Sequence, residues 1–213
     1  MTGSGPRMTY LHIEDPSMEE TLKFVVPRII GNRDVPYKII DHGSKQKLLR
    51  DLPKRLAGYA RRIPREDLRI LVLIDRDSDD CRRLKARLEN IAKENQLPTK
   101  SSPSPDGRFR VVNRIVVEEL EAWFFGDVPA LCRAYDSIPA SLAYRREFRN
   151  PDAIAGGTWE KLRHVLQRAG YFTGTPSLPK CEVARRIAQY MEPRRNSSPS
   201  FRQFVNGLET LFN

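Results

Sequence analysis

The sequence has few cysteines and histidines, and it has no long apolar run. The three cysteines are far apart and odd in number, and the three histidines lack metal-ligand spacing, which argues against a disulfide framework and a zinc site. These residues are Cys81, Cys132, Cys181, His12, His42 and His164. No apolar stretch approaches the roughly 20 residues that span a bilayer, and no signal-peptide core precedes the first strand. We therefore expect a soluble, cytoplasmic protein.

The chain of 213 residues has a net charge of +10. Residues 1–127 contain 24 basic and 20 acidic side chains, and residues 128–213 contain 13 and 7, so the basic excess is largest in the C-terminal part. A basic protein with a local acidic cluster suits a polyanion held by lysine and arginine beside a metal held by carboxylates. General solubility is the alternative explanation of the charge.

The most informative stretch is residues 70–80, in which five apolar residues precede a cluster of aspartates. Five consecutive apolar residues predict a strand buried on both faces of a parallel sheet. Ligands bind beyond the carboxyl ends of such strands, where this one carries Asp75, Asp77, Asp79 and Asp80. We expect Asp75 and Asp77 to bind a hard metal ion, with Asp79 as a further ligand or, like Asp80, as a helix cap.

The first 127 residues alternate between strand and helix patterns, which predicts an α/β fold with a mainly parallel four-stranded sheet flanked by helices. Predicted strands cover residues 9–13, 37–41, 70–74 and 109–117, and Ser17 with Glu20 predicts a capping box at the first helix. Residues 1–8 resemble a flexible leader. Residues 9–127 form the predicted α/β domain, and residues 128–213 a basic, helical C-terminal subdomain.

Other candidate site residues lie at strand ends or on basic helices. Glu14 and Glu118 follow predicted strands, Glu121 lies on the same helix side as Glu118, and Lys45 follows a glycine at the same sheet edge. A solvated surface position is the alternative for each. The arginines that we expect to contact nucleic acid, or else to be solvated or to dock an acidic partner, are Arg82, Arg83, Arg145, Arg146, Arg185 and Arg186.

Several motifs of the chain resemble a known family. Glu14 after the first strand and Asp75-Arg76-Asp77 after the third resemble the Toprim fold of topoisomerases, primases and overcoming-lysogenization-defect nucleases. More narrowly, the chain is similar to the Toprim-like DUF4276 family, although Asp15 stands where such proteins usually have glycine. The resemblance rests on residues 13–14, 19–20, 42–45, 73–77, 114–123, 156–160 and 180–185.

The resemblance implies a nuclease that uses Mg²⁺, or Mn²⁺ as a substitute, bound by Glu14, Asp75 and Asp77. Lys45 would balance charge, and Asp15 would add a ligand. A partner ATPase in a phage-defence or mobile-element system is also implied. Two alternatives stay open. One is a non-catalytic Toprim-like interaction subunit, and the other is a haloacid-dehalogenase-type phosphatase, although Asp79 stands where that family has threonine or valine.

Overall fold

The structure is a computed structural model that describes residues 7–175 and 177–212. The four strands form one parallel sheet in the spatial order β2-β1-β3-β4, which confirms the predicted α/β architecture. They are β1 (Met8–Ile13), β2 (Tyr37–Asp41), β3 (Leu68–Asp75) and β4 (Val111–Val116). Of the predicted leader, residues 1–6 lie outside the described residues, whereas Met8 already belongs to β1.

Eight α-helices surround the sheet in the described part of the chain. They are α1 (Pro16–Ile30), α2 (Lys45–Arg62), α3 (Cys81–Glu94), α4 (Glu121–Phe125), α5 (Val128–Ala134), α6 (Thr158–Arg168), α7 (Lys180–Ala188) and α8 (Pro199–Phe212). Three short 3₁₀ helices, Ala140–Tyr144, Arg146–Phe148 and Pro151–Ala153, occupy the segment between α5 and α6. None of the described helices has the length and apolarity required to cross a membrane.

Strand β3 separates two hydrophobic cores, one on each face of the sheet. Ile70, Val72 and Ile74 pack with α2 and α3, whereas Leu71 and Leu73 pack with α1 and the helices that follow β4. Successive side chains of a strand point to opposite faces, so both cores need apolar residues from the same strand. This explains why the run is continuously apolar instead of alternating.

Helix α1 begins at Pro16, and its N-cap is Asp15. The carboxylate Oδ1 of Asp15 accepts hydrogen bonds from the Met18 amide at 2.9 Å and from the Ser17 hydroxyl at 2.7 Å. The predicted capping box at Ser17 is therefore wrong, because proline fits the first helical position and the aspartate before it fits the cap. Pro27 does not end the helix, which continues to Ile30.

The C-terminal helices share the core of α1. Helix α7 lies along α1, and α8 lies against β4. Trp123 is fully buried, with its ring centroid 4.9 Å from that of Phe201 and 5.1 Å from that of Phe204. A Cβ atom at Gly207 would lie 2.9 Å from Val112 Cγ1, so α8 approaches β4 closely. The division into two parts at residue 127 stays a prediction.

A chain of hydrogen bonds connects β1 with the start of α2. His12 is fully buried, its Nδ1 lies 2.9 Å from His42 Nε2, and its Nε2 lies 3.0 Å from the Tyr59 hydroxyl. Burial and neighbouring positive charges lower the pKa of His12 to about 3, so its ring is neutral at physiological pH. His42 stands three residues before Lys45, the first residue of α2, so the chain links that helix start to the sheet.

Candidate metal centre

Two acidic side chains meet where the neighbouring strands β1 and β3 end. Glu14 directly follows β1, and Asp75 is the last residue of β3. Because the strands are parallel and adjacent, their carboxyl ends lie at the same sheet edge. The Asp75 amide donates a hydrogen bond of 3.1 Å to Glu14 Oε2. The sequence-predicted pair is therefore brought together by the topology of the sheet.

Asp15 completes a group of three carboxylates at this edge. Glu14, Asp15 and Asp75 each offer an oxygen, and these three oxygens lie within 4.8 Å of one another. Asp15 caps α1 through Oδ1 alone among the described contacts, which leaves Oδ2 available. The residue that departs from the usual family pattern thus lies within the acidic group.

The group is desolvated and strongly repulsive. Asp75 is only 6% exposed, and burial raises its pKa well above the ordinary value, with further contributions from the charges of Glu14 and Glu121. Burial also raises the pKa of Glu14 to about 7, against the opposing hydrogen bond from the Asp75 amide. Carboxylates in such a site can all be ionised only when a cation offsets their charge.

An unpartnered atom provides a direct test of whether a cation fits. Asp75 Oδ1 is buried and has no hydrogen-bond partner within the described residues, while Oδ2 accepts only a long bond of 3.4 Å from the Leu120 amide. A buried oxygen without a partner is costly unless an ion or a water completes it. Three carboxylates form the oxygen-only donor set that Mg²⁺ prefers, so the residues fit a hard divalent cation.

Asp77 and Asp79 are held on one side of this group by Lys45. The Lys45 ammonium lies 2.5 Å from Asp77 Oδ2 and 2.9 Å from Asp79 Oδ2. Burial opposes the ammonium charge, but the hydrogen bonds to Asp77 and Asp79 outweigh it and raise the pKa of Lys45. Asp77 still lies near enough for its charge to raise the pKa of Glu14. The predicted ligands therefore divide into an acidic group and a lysine-bound pair.

The predicted supporting residues Glu118 and Glu121 take different environments. Glu118 lies before α4, with a backbone φ of +67°, and its carboxylate forms an ion pair with Arg76. Glu121, the first residue of α4, is 3% exposed, and burial raises its pKa to about 7 against the opposing charge of Lys180. Glu121 thus extends the acidic interior beside Asp75, whereas Glu118 is neutralised at the rim.

Glu119 is a residue that the sequence analysis did not single out. Its Oε2 accepts hydrogen bonds of 3.0 Å from both the Thr158 hydroxyl and the Trp159 amide, at the start of α6. A carboxylate at a helix N-terminus is stabilised by the free amide groups there. The only signal in the sequence was its place among three glutamates after β4. Glu119 connects the end of β4 to the C-terminal helices.

The six arginines predicted to bind nucleic acid occupy three kinds of environment. Arg82 and Arg83 are exposed on α3, and Arg145 and Arg146 are exposed between α5 and α6. Two others make internal contacts. Arg185 pairs with Glu20 at 2.6 Å, and Arg186 donates to the Ala134 carbonyl at 2.7 Å while lying 4.4 Å from the Tyr135 ring centroid.

Comparison with known proteins identifies the family. The model of a domain of unknown function, DUF4276, matches residues 13–209. The chain belongs to the DUF4276 family. No curated protein matches this DUF4276 chain. Among solved structures, the C-terminal region of the Burkholderia pseudomallei OLD protein is similar to it, with a TM-score of 0.49 and 15% sequence identity, covering 96% of this chain and 98% of that one.

Membership of the DUF4276 family confirms the resemblance predicted from the sequence motifs. The matched residues extend from the end of β1 into α8, so they include the acidic group, Lys45 and the C-terminal helices. The acidic edge and the helical segment after β4 are therefore parts of one family domain.

Proposed function

We propose that this protein is a metal-dependent enzyme that cleaves phosphodiester bonds in nucleic acid. The observation that carries the proposal is the buried, unpartnered Asp75 Oδ1 within a group of three carboxylates. Stability alone does not account for such a group, because desolvation and repulsion both penalise it. A site that retains this cost at the carboxyl edge of a parallel sheet is a candidate for function.

Glu14, Asp15 and Asp75 would hold Mg²⁺, with Mn²⁺ as a substitute. When bound, the ion supplies Lewis-acid polarisation of a phosphoryl oxygen and offsets charge on the leaving oxygen. The chain's own residues position and balance the site. The Asp75 amide fixes Glu14, and the Lys45 ammonium provides a positive charge at the rim. Asp77 and Asp79 keep that ammonium in place, and they become ligands only if Lys45 moves to the substrate.

One observation favours a second candidate, a non-catalytic interaction subunit. Lys45 neutralises Asp77 and Asp79, which leaves half of the predicted aspartate cluster engaged within the protein. Such a subunit would keep the fold and act through a partner, for which the sequence resemblance proposes an ATPase. The phosphatase alternative is less favourable, because an attacking Asp75 would have to be ionised, whereas burial favours its protonated form.

Cleavage of supercoiled plasmid with Mg²⁺ or Mn²⁺ tests the enzyme, and Mn²⁺ titration by calorimetry tests the metal site. We expect Asp75→Asn to reduce both nicking and Mn²⁺ affinity by about 100-fold or more, since even supporting residues of metal sites contribute 10–100-fold. The matched control is Asp106→Asn, which removes an exposed loop carboxylate that pairs with Arg108. Mn²⁺ binding without nicking would favour the interaction subunit, and wild-type protein that binds no Mn²⁺ would refute the metal site.

A further inference from the structure

The net charge of +10 is concentrated on one side of the sheet. Helix α2 carries seven basic residues and one acidic residue, and α3 carries five basic and two acidic, which gives +9 within 32 residues. On the other side, α1, α7 and α8 together carry six basic and four acidic residues. We call the outer side of α2 and α3 the basic face.

Most of the basic side chains on this face are available to a ligand. Lys45, Arg50, Arg62 and Lys85 form ion pairs with acidic residues of the protein. The others are exposed and form no ion pair with any described residue. They are Lys47, Lys54, Arg55, Arg61, Arg82, Arg83, Arg87 and Lys93. Eight unpaired positive charges on two adjacent helices create a field that attracts a polyanion.

A groove joins the basic face to the acidic edge. It has a volume of about 290 Å³, and its walls include Leu49 of α2, Arg83 and Arg87 of α3, and Asp79 from the loop between β3 and α3. Asp79 is held by Lys45 at the edge of the candidate metal centre. A chain of phosphates lying on the basic face can therefore continue toward the carboxylates without crossing another element.

The chemistry of the face distinguishes among polyanions. Membrane-binding and protein-binding surfaces use exposed apolar or aromatic anchors, but the only exposed large hydrophobic residue in the described chain is Tyr144, which lies beyond α5. Single-stranded nucleic acid is held by stacking of its bases on aromatic rings. The only aromatic residue of α2 and α3 is Tyr59, which is 5% exposed. The face has charge without stacking groups, which suits a double-stranded backbone.

We propose that the basic face binds the sugar–phosphate backbone of a nucleic-acid duplex. Helix α2 has 18 residues and is about 27 Å long, so it spans several phosphates of one duplex groove edge. The contacts involve charge and no base edges, so binding is independent of sequence and sensitive to salt. The inference deepens the proposed function by assigning its substrate form, but duplex binding itself requires no metal.

The test is fluorescence anisotropy with a labelled 25-base-pair duplex in EDTA, over a series of salt concentrations. One variant removes four charges from the basic face: Lys54→Gln, Arg82→Gln, Arg83→Gln and Arg87→Gln. The matched control removes four exposed charges from the C-terminal part: Arg145→Gln, Arg146→Gln, Arg149→Gln and Arg168→Gln. All eight side chains are exposed, so both variants are expected to fold, which circular dichroism checks.

We expect the basic-face variant to bind about 30-fold or more weakly near 0.1 M salt and its log–log salt slope to fall in magnitude by about 3 to 4, while the control changes affinity less than about threefold. Asp75→Asn should bind the duplex as the wild type does, so failure of the metal site leaves this result intact. Three outcomes would overturn the proposal: a larger loss in the control, equal losses in both, or wild-type protein that binds a 25-nucleotide single strand or anionic phosphatidylserine vesicles as tightly as the duplex.

Discussion

The two sides of the sheet bury apolar residues alike but differ in what they present to solvent. Helices α2 and α3 cover one core and carry +9, whereas α1, α7 and α8 cover the other and carry +2. The second side also contains the largest buried rings, Trp123, Phe201 and Phe204. The difference indicates that one side contributes chiefly charge recognition and the other chiefly stability. Substitutions on the two sides should therefore affect different measurements.

The largest expected effect is the loss of an aromatic side chain from the side that contributes stability. Trp123→Ala removes a fully buried ring and its 3.0 Å hydrogen bond to Ser200, so we expect the free energy of unfolding to fall by about 3–5 kcal/mol. Urea denaturation followed by circular dichroism measures it. The comparison on the basic face is Arg82→Ala, which should change stability by less than about 0.5 kcal/mol. Similar losses for both would contradict the division between the sides.

The same substitution at two helical glycines should have opposite effects. Gly207→Ala places a methyl group 2.7 Å from Arg114 Nε and 2.9 Å from Val112 Cγ1, so we expect it to destabilise the protein by about 1–3 kcal/mol. Gly58→Ala in α2 meets nothing within 4 Å, and it should stabilise by about 0.5–1 kcal/mol because alanine favours helix. Melting temperatures of the two variants test this. If Gly207→Ala is neutral, the close approach of α8 to β4 is wrong.

Acidic burial predicts how the stability of the metal-free protein depends on pH. Folded Glu121 keeps its proton up to about pH 7, whereas the unfolded chain loses it near pH 4.5. The folded state therefore binds more protons between these values, and the free energy of unfolding falls as pH rises through them. We expect Glu121→Gln to reduce this fall by about 1–3 kcal/mol.

Urea denaturation in EDTA at pH 5 and pH 7.5 provides the measurement for Glu121. Glu94→Gln, which removes an exposed carboxylate from α3, is the matched control and should keep the wild-type dependence. An unchanged dependence in Glu121→Gln would show that this carboxyl group is not protonated in the fold.

The smallest expected effects separate two arginines of similar sequence appearance. Arg186→Ala loses a hydrogen bond to the Ala134 carbonyl and the contact with the Tyr135 ring, so we expect it to destabilise the protein by about 1–2 kcal/mol. Arg87→Ala on the basic face should change stability by less than about 0.5 kcal/mol but weaken duplex binding. Thermal unfolding and anisotropy of both variants measure the contrast. Duplex affinity that falls only in Arg186→Ala would reverse the assignment of the two residues.

The sequence predicted the strands and the pairing of Glu14 with Asp75 because both depend on local patterns. Apolar runs mark buried strands, and parallel strands end at one edge whatever loops join them. The position of Asp77 was not predictable in this way. Its partner Lys45 is 32 residues earlier in the chain, and the pairing depends on how α2 packs beside β3. Side-chain partners across elements require the packed structure.

The location of the basic charge was also hidden in the sequence. Division at residue 127 placed the larger excess in the C-terminal part, because residues 1–127 outside α2 and α3 carry 12 basic and 17 acidic residues. These acidic residues include those of the strand ends and offset the two basic helices in any count along the chain. Charge acts through space, so only the arrangement of helices on the sheet separates the two populations.

The hydrogen bonds from Tyr59 to His42 have a fixed direction. A neutral His12 has one N–H, so when the Tyr59 hydroxyl donates to Nε2, His12 donates from Nδ1 to His42. His42 must then be the tautomer whose own proton is on Nδ1, facing Asp51 at 3.9 Å. A second proton on His42 would require every donor in the chain to reverse. The backbone that precedes Lys45 is thus anchored by an arrangement that tolerates only one proton count.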